Sequence, residues 1–377
     1  MKLIFCLYEY FPYGGLQRDL MKITAIAMAR GHSVKILTMG WHGDIPDGLD
    51  VQILPHSALS NHGRCLKFSR TVVNLLPKMS YDAVVGFNKM QGLDVYYAAD
   101  SCYQARTRNL GALASFVMGR YSTYVGFEKA IFSPQSKTEI LSISPQEQRK
   151  FIECYGTPEE RFHLLPPGIY EDRFRPANAA EVRCRIRSEL GLSEDQLMLL
   201  MVGSAFHTKG VDRTINAIAS LPQDLRKRVK LYVLGRGKIE LFSKIAEKNN
   251  LVEQVNFLGG REDVPDFLLA ADLLVHPART ENTGTVLIEA MAAGLPVVVT
   301  ENCGYAFHVQ EADSGRIVPM PFEQKALDTA LADVLSSSDL SRFSENGVKY
   351  TTRVDVTGLH EKAVDVIEDV ARRRSRS

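Results

Sequence analysis

The chain has no Cys-x-x-Cys pair. Its six cysteines, Cys6, Cys65, Cys102, Cys154, Cys184 and Cys303, are scattered, a pattern that suits reduced thiols in a cytoplasmic protein better than a disulfide or zinc framework. No window approaches the roughly 20 consecutive apolar residues that cross a bilayer. The opening run Met1–Tyr8 is too short for a secretory signal, and Glu9 interrupts it. Charge of neither sign dominates: the net value is +1, without the strongly basic face that nucleic-acid binding needs. No Asp-x-Asp triplet occurs, which argues against the acidic pair often used to hold a divalent metal on a diphosphate. His207, His276 and His308 lack ligand spacing, so no metal is assigned. Gly-x-Ser-x-Gly is absent too, and with it the nucleophile elbow.

What is present is ordinary for a soluble globular protein, with 45% hydrophobic and 24% charged residues. At 377 residues two domains are expected. Lys2–Leu7 reads as a strand, Pro12–Gly15 as a turn and Leu16, Leu20, Ile23 and Ala27 as one helical face. Gly31 then stops the helix before the strand Val34–Thr38. This βαβ unit begins an alternation that continues to Phe162–Leu165 and restarts at Met198–Val202. The fold class is α/β: two doubly wound, Rossmann-like parallel-sheet domains facing across a cleft. Pro166-Pro167-Gly168 marks the boundary, giving domains over 1–166 and 167–355 and a C-terminal helix with a basic tail over 356–377 that packs back toward the first domain. Residues 1–165 carry 18 Lys and Arg against 14 Asp and Glu, a charge of +4, which leaves −3 for the rest.

The richest stretch is Glu281-Asn-Thr283-Gly284-Thr285-Val286-Leu-Ile-Glu289, followed by Met291-Ala-Ala-Gly-Leu-Pro296 and Val297–Thr300. A loop entering a helix offers backbone N–H groups to phosphate, and the helix dipole adds roughly half a positive charge there. Two carboxylates bracket the junction. The layout suits a nucleotide-sugar, with diphosphate at the helix tip, the sugar near Glu281 and ribose near Glu289; it equally describes a capped surface helix. Lys209 lies just before another helix start, after the strand that ends at Gly203. A cation there opposes the helix dipole unless an anion is bound. Arg173 is a second candidate for the same charge. Gly14 and Gly15 follow the first strand without the GxGxxG of nicotinamide sites, and can admit an anion or simply make a tight turn. Asp19 faces the same region, either as a ligand or as a surface acid. Gly235, Gly237, Gly259, Gly260 and Arg261 sit at strand ends where a base or ribose can rest. Asp100 closes the strand Val95–Ala99 and is placed to meet an acceptor or the reacting sugar.

Residues 103–132 interleave Arg106, Arg108, Arg120 and Lys129 with Leu110, Leu113, Phe116, Val117, Tyr121, Tyr124 and Phe127. Val117, Tyr121 and Val125 share a helical face. Such a stretch fits an anionic membrane surface, or a helix that covers the sheet and exposes ordinary charges.

Taken in order, the Gly-Gly loop, Ala29-Arg-Gly-His-Ser-Val34, Leu165-Pro-Pro-Gly-Ile169, Lys209-Gly-Val211 and Glu281-x7-Glu289 with Met291–Pro296 resemble the retaining GT-B glycosyltransferases of family 4 along nearly the whole chain. Within that family, Phe5–Tyr8, Gly14–Asp19, Val85–Met90, Gly92–Tyr96, Leu165–Tyr170 and Lys209–Arg213 are most similar to the core-heptose glucosyltransferases of lipopolysaccharide synthesis. The resemblance implies transfer of a hexosyl unit from a UDP-sugar to inner-core heptose, with anomeric retention and no cofactor. It places the protein on the inner face of a Gram-negative inner membrane. Glucose is the implied sugar, with galactose and N-acetylhexosamine open. Gly15 would approach the phosphates, Lys209 neutralise them, Thr285 and Val286 bind through backbone N–H, Glu281 hold the sugar and Glu289 the ribose. The family places an arginine a few residues before the lysine, whereas Ser204–Thr208 contains none, and Arg173 is assigned the missing charge. A UDP-sugar 2-epimerase shares this layout, and a non-catalytic nucleotide-binding or membrane-associated scaffold is the reading from another class.

Overall fold

Nearly every strand buries alternate residues on both sides, the signature of sheets covered by helices on both faces. In β1 (Lys2–Tyr10), Leu3, Phe5 and Leu7 enter one core and Ile4 and Cys6 the other. In β8 (Leu197–Val202), Met198 and Leu200 face one core and Leu199 and Met201 the opposite one. The computed structural model describes residues 1–12, 14–108, 119–337 and 339–375. All six cysteines are free, and burial pushes the Cys6 thiol up to about 12.

The remaining strands are β2 (Ser33–Trp41), β3 (Asp50–Ile53), β4 (Ala83–Gly86), β5 (Val95–Ala98), β6 (Glu139–Ser142), β7 (Phe162–Leu164), β9 (Val229–Leu234), β10 (Val255–Gly259), β11 (Leu273–His276), β12 (Val297–Thr300) and β13 (Gly315–Val318). They form two sheets, ordered β3-β2-β1-β4-β5-β6-β7 and β10-β9-β8-β11-β12-β13, with parallel pairing throughout. In each sheet the order reverses beside its first strand, between β1 and β4 and between β8 and β11. Open parallel sheets bind ligands at such switch points, outside the carboxyl ends of the strands. The contacts divide the chain into two units: Met1–Pro166 together with the chain from Gly358 onward, and Pro167–Thr357.

The helix Leu359–Arg374 lies in the first unit, where it buries Ala363, Val364, Ile367 and Ala371 in the core that also holds Leu20, Ile23 and Ala27. Polar contacts fasten it to the helix Gly15–Ala29 and its C-terminal turn. Arg30 Nη1 reaches Asp365 at 2.8 Å, and His32 Nε2 meets Glu368 at 2.8 Å. The basic tail is thereby committed: Arg372, Arg373 and Arg374 pair with Glu368, Glu139 and Asp94. Arg376 lies outside the described residues.

The basic, aromatic stretch is described from 103 to 108 and from 119 to 132; Leu110, Leu113, Phe116 and Val117 fall outside the described residues. The helix Gly119–Phe132 turns Val125, Phe127, Ile131 and Phe132 inward, and the last three join the second core of this unit. These apolar side chains cover the sheet, one of the two readings the sequence leaves open, because they have a core to fill. Arg106, Arg108, Arg120 and Lys129 stay exposed. Glu128 on this helix is fully buried. It accepts hydrogen bonds from Lys89 Nζ at 2.6 Å, the Tyr103 and Gln104 amides at 2.6 and 3.0 Å, and the Tyr155 hydroxyl at 2.6 Å.

Candidate functional site

The loops leaving β8 and β11, the two strands at the switch point of the second sheet, carry the residues of greatest interest. After β8 the chain passes through Gly203 into the short helix Phe206–Lys209. Gly203 has φ +140°, and a Cβ there would stand 2.8 Å from Cε of Lys209. The glycine therefore lets the lysine stem lie across the strand end. Arg279, in the loop after β11, braces this turn. Its guanidinium donates to both carboxylate oxygens of Asp212 at 2.8 and 2.7 Å and to the His207 carbonyl at 2.7 Å.

Thus held, Lys209 Nζ pairs directly with the Glu281 carboxylate. His276 Nε2 lies 3.2 Å from the same oxygen, Oε2. Burial alone would raise the Glu281 pKa, but the His276 hydrogen bond and the Lys209 charge outweigh it and bring it to about 2. The Glu281 loop is pinned to the loop after β12, where the Gly304 amide donates to the Glu281 carbonyl at 3.2 Å and the Tyr305 amide to Thr283 at 2.7 Å. Gly284 then enters the helix Thr285–Ala293 with φ +81° and no side-chain cap. A helix start without a side-chain cap leaves its amides for water or a ligand.

Glu289 projects from this helix four residues past Thr285. Arg173 Nε stands 3.5 Å from its Oε1 and 3.4 Å from Asp172 Oδ1. The structure therefore brings Arg173 to Glu289, the carboxylate assigned to ribose. Arg261 is exposed beyond β10, held by Asp263 at 2.6 and 2.7 Å over the Phe267 ring. Among the described residues no cluster of three or more His, Cys, Asp or Glu could hold a metal.

In the first unit, Gly14 adopts extended backbone and Gly15 has no positive φ, so neither is there for a left-handed turn. A Cβ on Gly15 would meet nothing within 4 Å, which leaves open space before the helix. Asp19 is engaged on both oxygens, by the Tyr97 hydroxyl at 2.8 Å and by His360 Nε2 at 2.9 Å. Asp100 follows β5 and lines a hollow of about 260 Å³ with Tyr8, Lys89, Tyr103, Arg106 and Tyr124. Asp100 itself is exposed, and the protein crowded around it pushes its carboxyl above the ordinary range, against the pull of Lys89 and Arg106. Sequence reading gave Arg279 and Asp212 no role and weighed His276 only as a metal ligand. Each is a polar residue at the end of an apolar run or a helix start, and that is the trace it leaves in sequence.

Residues 182–350 match the family described as glycosyl transferases group 1. The chain is 42% identical over 368 residues to the lipopolysaccharide glucosyltransferase WaaG of Escherichia coli K12, covering 97% of this chain and 98% of that one. A crystal structure of WaaG, a glycosyltransferase involved in lipopolysaccharide biosynthesis, superposes with a TM-score of 0.88 at 43% identity, covering 97% and 99% of the two chains. Anabaena Alr3699/HepE in complex with UDP-glucose shares the fold at a TM-score of 0.72 and 18% identity, with 98% and 100% of the chains covered.

Proposed function

The chain belongs to the group 1 glycosyl transferases, and on that premise we propose that it moves a hexosyl unit from a UDP-sugar to the inner-core heptose of lipopolysaccharide with retention at the anomeric carbon. Kinship with a lipopolysaccharide glucosyltransferase favours glucose as the sugar. One observation carries the reading: Lys209, Glu281 and a helix start without a side-chain cap are gathered at the carboxyl ends of β8 and β11.

The diphosphate rests on the amides of Thr285 and Val286 beside Thr283 and Gly284. Lys209 balances the charge that builds on it as the sugar–oxygen bond breaks, and preorganised charge of this kind usually dominates catalysis. Glu281 holds sugar hydroxyls. Glu289, oriented by Arg173, receives the ribose, and the strand ends near Gly203 and Arg261 receive the base. In the first unit Asp19 holds the helix that begins at Gly15, and the Asp100 hollow takes the acceptor. The leaving phosphate accepts the acceptor proton on the same face. UDP-glucose, UDP-galactose and UDP-N-acetylglucosamine, each assayed with truncated lipopolysaccharide ending in heptose, test the proposal. Glucose transfer is the expected result; a new epimer from UDP-hexose without acceptor would replace it with an epimerase.

The same reading puts the enzyme at the cytoplasmic face of the inner membrane, with Arg106, Arg108, Arg120 and Lys129 toward anionic lipid. No described helix is long and apolar enough to cross a membrane. Binding to anionic vesicles is expected to weaken as salt rises, since charges more than about 8 Å apart are screened at physiological ionic strength. Equal binding to neutral vesicles at every salt concentration would exclude this contact.

A further inference from the structure

We propose that His276 is a positioning residue for transfer: it turns the Glu281 carboxylate so that one oxygen serves Lys209 and the other is left for the donor sugar. The inference rests on the donor-site reading above. His276 is the last residue of β11 and fully buried, after the apolar run Leu273-Leu-Val275. An aliphatic side chain would continue that run without desolvating any polar atom, so the imidazole must be offset by what it touches.

Its two nitrogens are not equivalent. Nε2 lies 3.2 Å from Glu281 Oε2, whereas Nδ1 is buried without a hydrogen-bond partner. A neutral imidazole has one N–H. A proton on Nδ1 would leave a buried donor unmet and would also set the Nε2 lone pair against a carboxylate, both unfavourable. The geometry therefore places the proton on Nε2, donating to Glu281. Oε2 thus receives both the imidazole and the Lys209 ammonium, and among the described residues no donor reaches Oε1. The remaining titratable neighbour is Cys303, whose thiol is pushed up to about 12 by burial and by Glu281, so it stays neutral beside the carboxylate.

The test compares His276→Leu, which removes the donor, with His276→Gln, which keeps an N–H near the Nε2 position. Loss of one hydrogen bond to a charged group is expected to lower kcat about 10- to 100-fold in His276→Leu, with much of it regained in His276→Gln. Because Glu281 loses a group that holds it ionised, the acid limb of the pH–rate profile should move to higher pH in His276→Leu. The Kd for UDP, which lacks the sugar, should stay within about twofold in both. Equal losses in the two variants, weaker UDP binding, or an unchanged kcat and acid limb in His276→Leu would each overturn the inference. Failure of the donor reading would be distinct: the unaltered enzyme would then transfer from no UDP-hexose at all.

Discussion

Lys209→Ala should lower kcat about 10²- to 10³-fold with little change in unfolding temperature, a loss typical of removing one preorganised group that stabilises developing negative charge. The two halves of this expectation come from different properties of the side chain. Lys209 is 22% exposed and its partner Glu281 15%, so water reaches the pair, and His276 still holds the carboxylate once the lysine is gone, which limits the cost to the fold. Its position matters to the reaction because three features fix it: Gly203 beneath its stem, Arg279 clamping the turn through Asp212 and His207, and Glu281 at its tip. Truncation removes the cation and leaves Glu281 with His276 as its remaining donor. Steady-state kinetics with UDP-glucose and heptose-terminated lipopolysaccharide, run beside thermal unfolding, checks both halves. Activity within about twofold of the parent would show that Lys209 does not meet the diphosphate during transfer.

The largest effect on stability is expected at Glu128. Glu128→Ala should destabilise the first unit by about 3–5 kcal/mol, read as a fall in the urea midpoint, because it strands a buried cation. Lys89 keeps the Ser101 carbonyl at 2.6 Å but loses its counter-charge, while the Tyr103 and Gln104 amides and the Tyr155 hydroxyl lose their acceptor. Glu128→Gln should fall between the two, since it retains an oxygen for the amides and gives up the charge. A midpoint shift worth less than about 1 kcal/mol in Glu128→Ala would mean that water enters and resolvates Lys89.

Much of the doubly wound architecture is written in apolar runs closed by glycine. Leu273–His276 and Val297–Thr300 are strands as expected, and Gly284 and Gly294 bound the helix between them with φ of +81° and +78°. Two strands escaped notice for opposite reasons. β3 is an edge strand of four residues, Asp-Val-Gln-Ile, with no residue fully buried, so its sequence carries no hydrophobic signature. β13 places an arginine between Gly315 and Ile317 and depends on Val297 running against Gly315, where a Cβ would lie 1.8 Å from the Val297 carbonyl oxygen. At the candidate site, residue types and loop positions were legible, whereas partners were not. Arg173 and Glu289 are 116 positions apart and Asp19 and His360 are 341, so only the folded chain reveals which carboxylate each side chain meets. His276 is near Glu281 in sequence, but the turn through Pro277 that folds one back on the other is a tertiary fact.

The return of Leu359–Arg374 to the first unit sets an order of events on the ribosome. One wall of the earliest sheet is synthesised only after residues 167–357 have emerged. Until then Leu20, Ile23 and Ala27 lack the apolar helix that covers them, and Asp19 and Arg30 lack His360 and Asp365. The nascent first half must wait with a greasy flank uncovered, a state that favours chaperone capture. A stop codon between Val318 and Leu359 leaves that flank bare for good, even though every described strand of both sheets has been made.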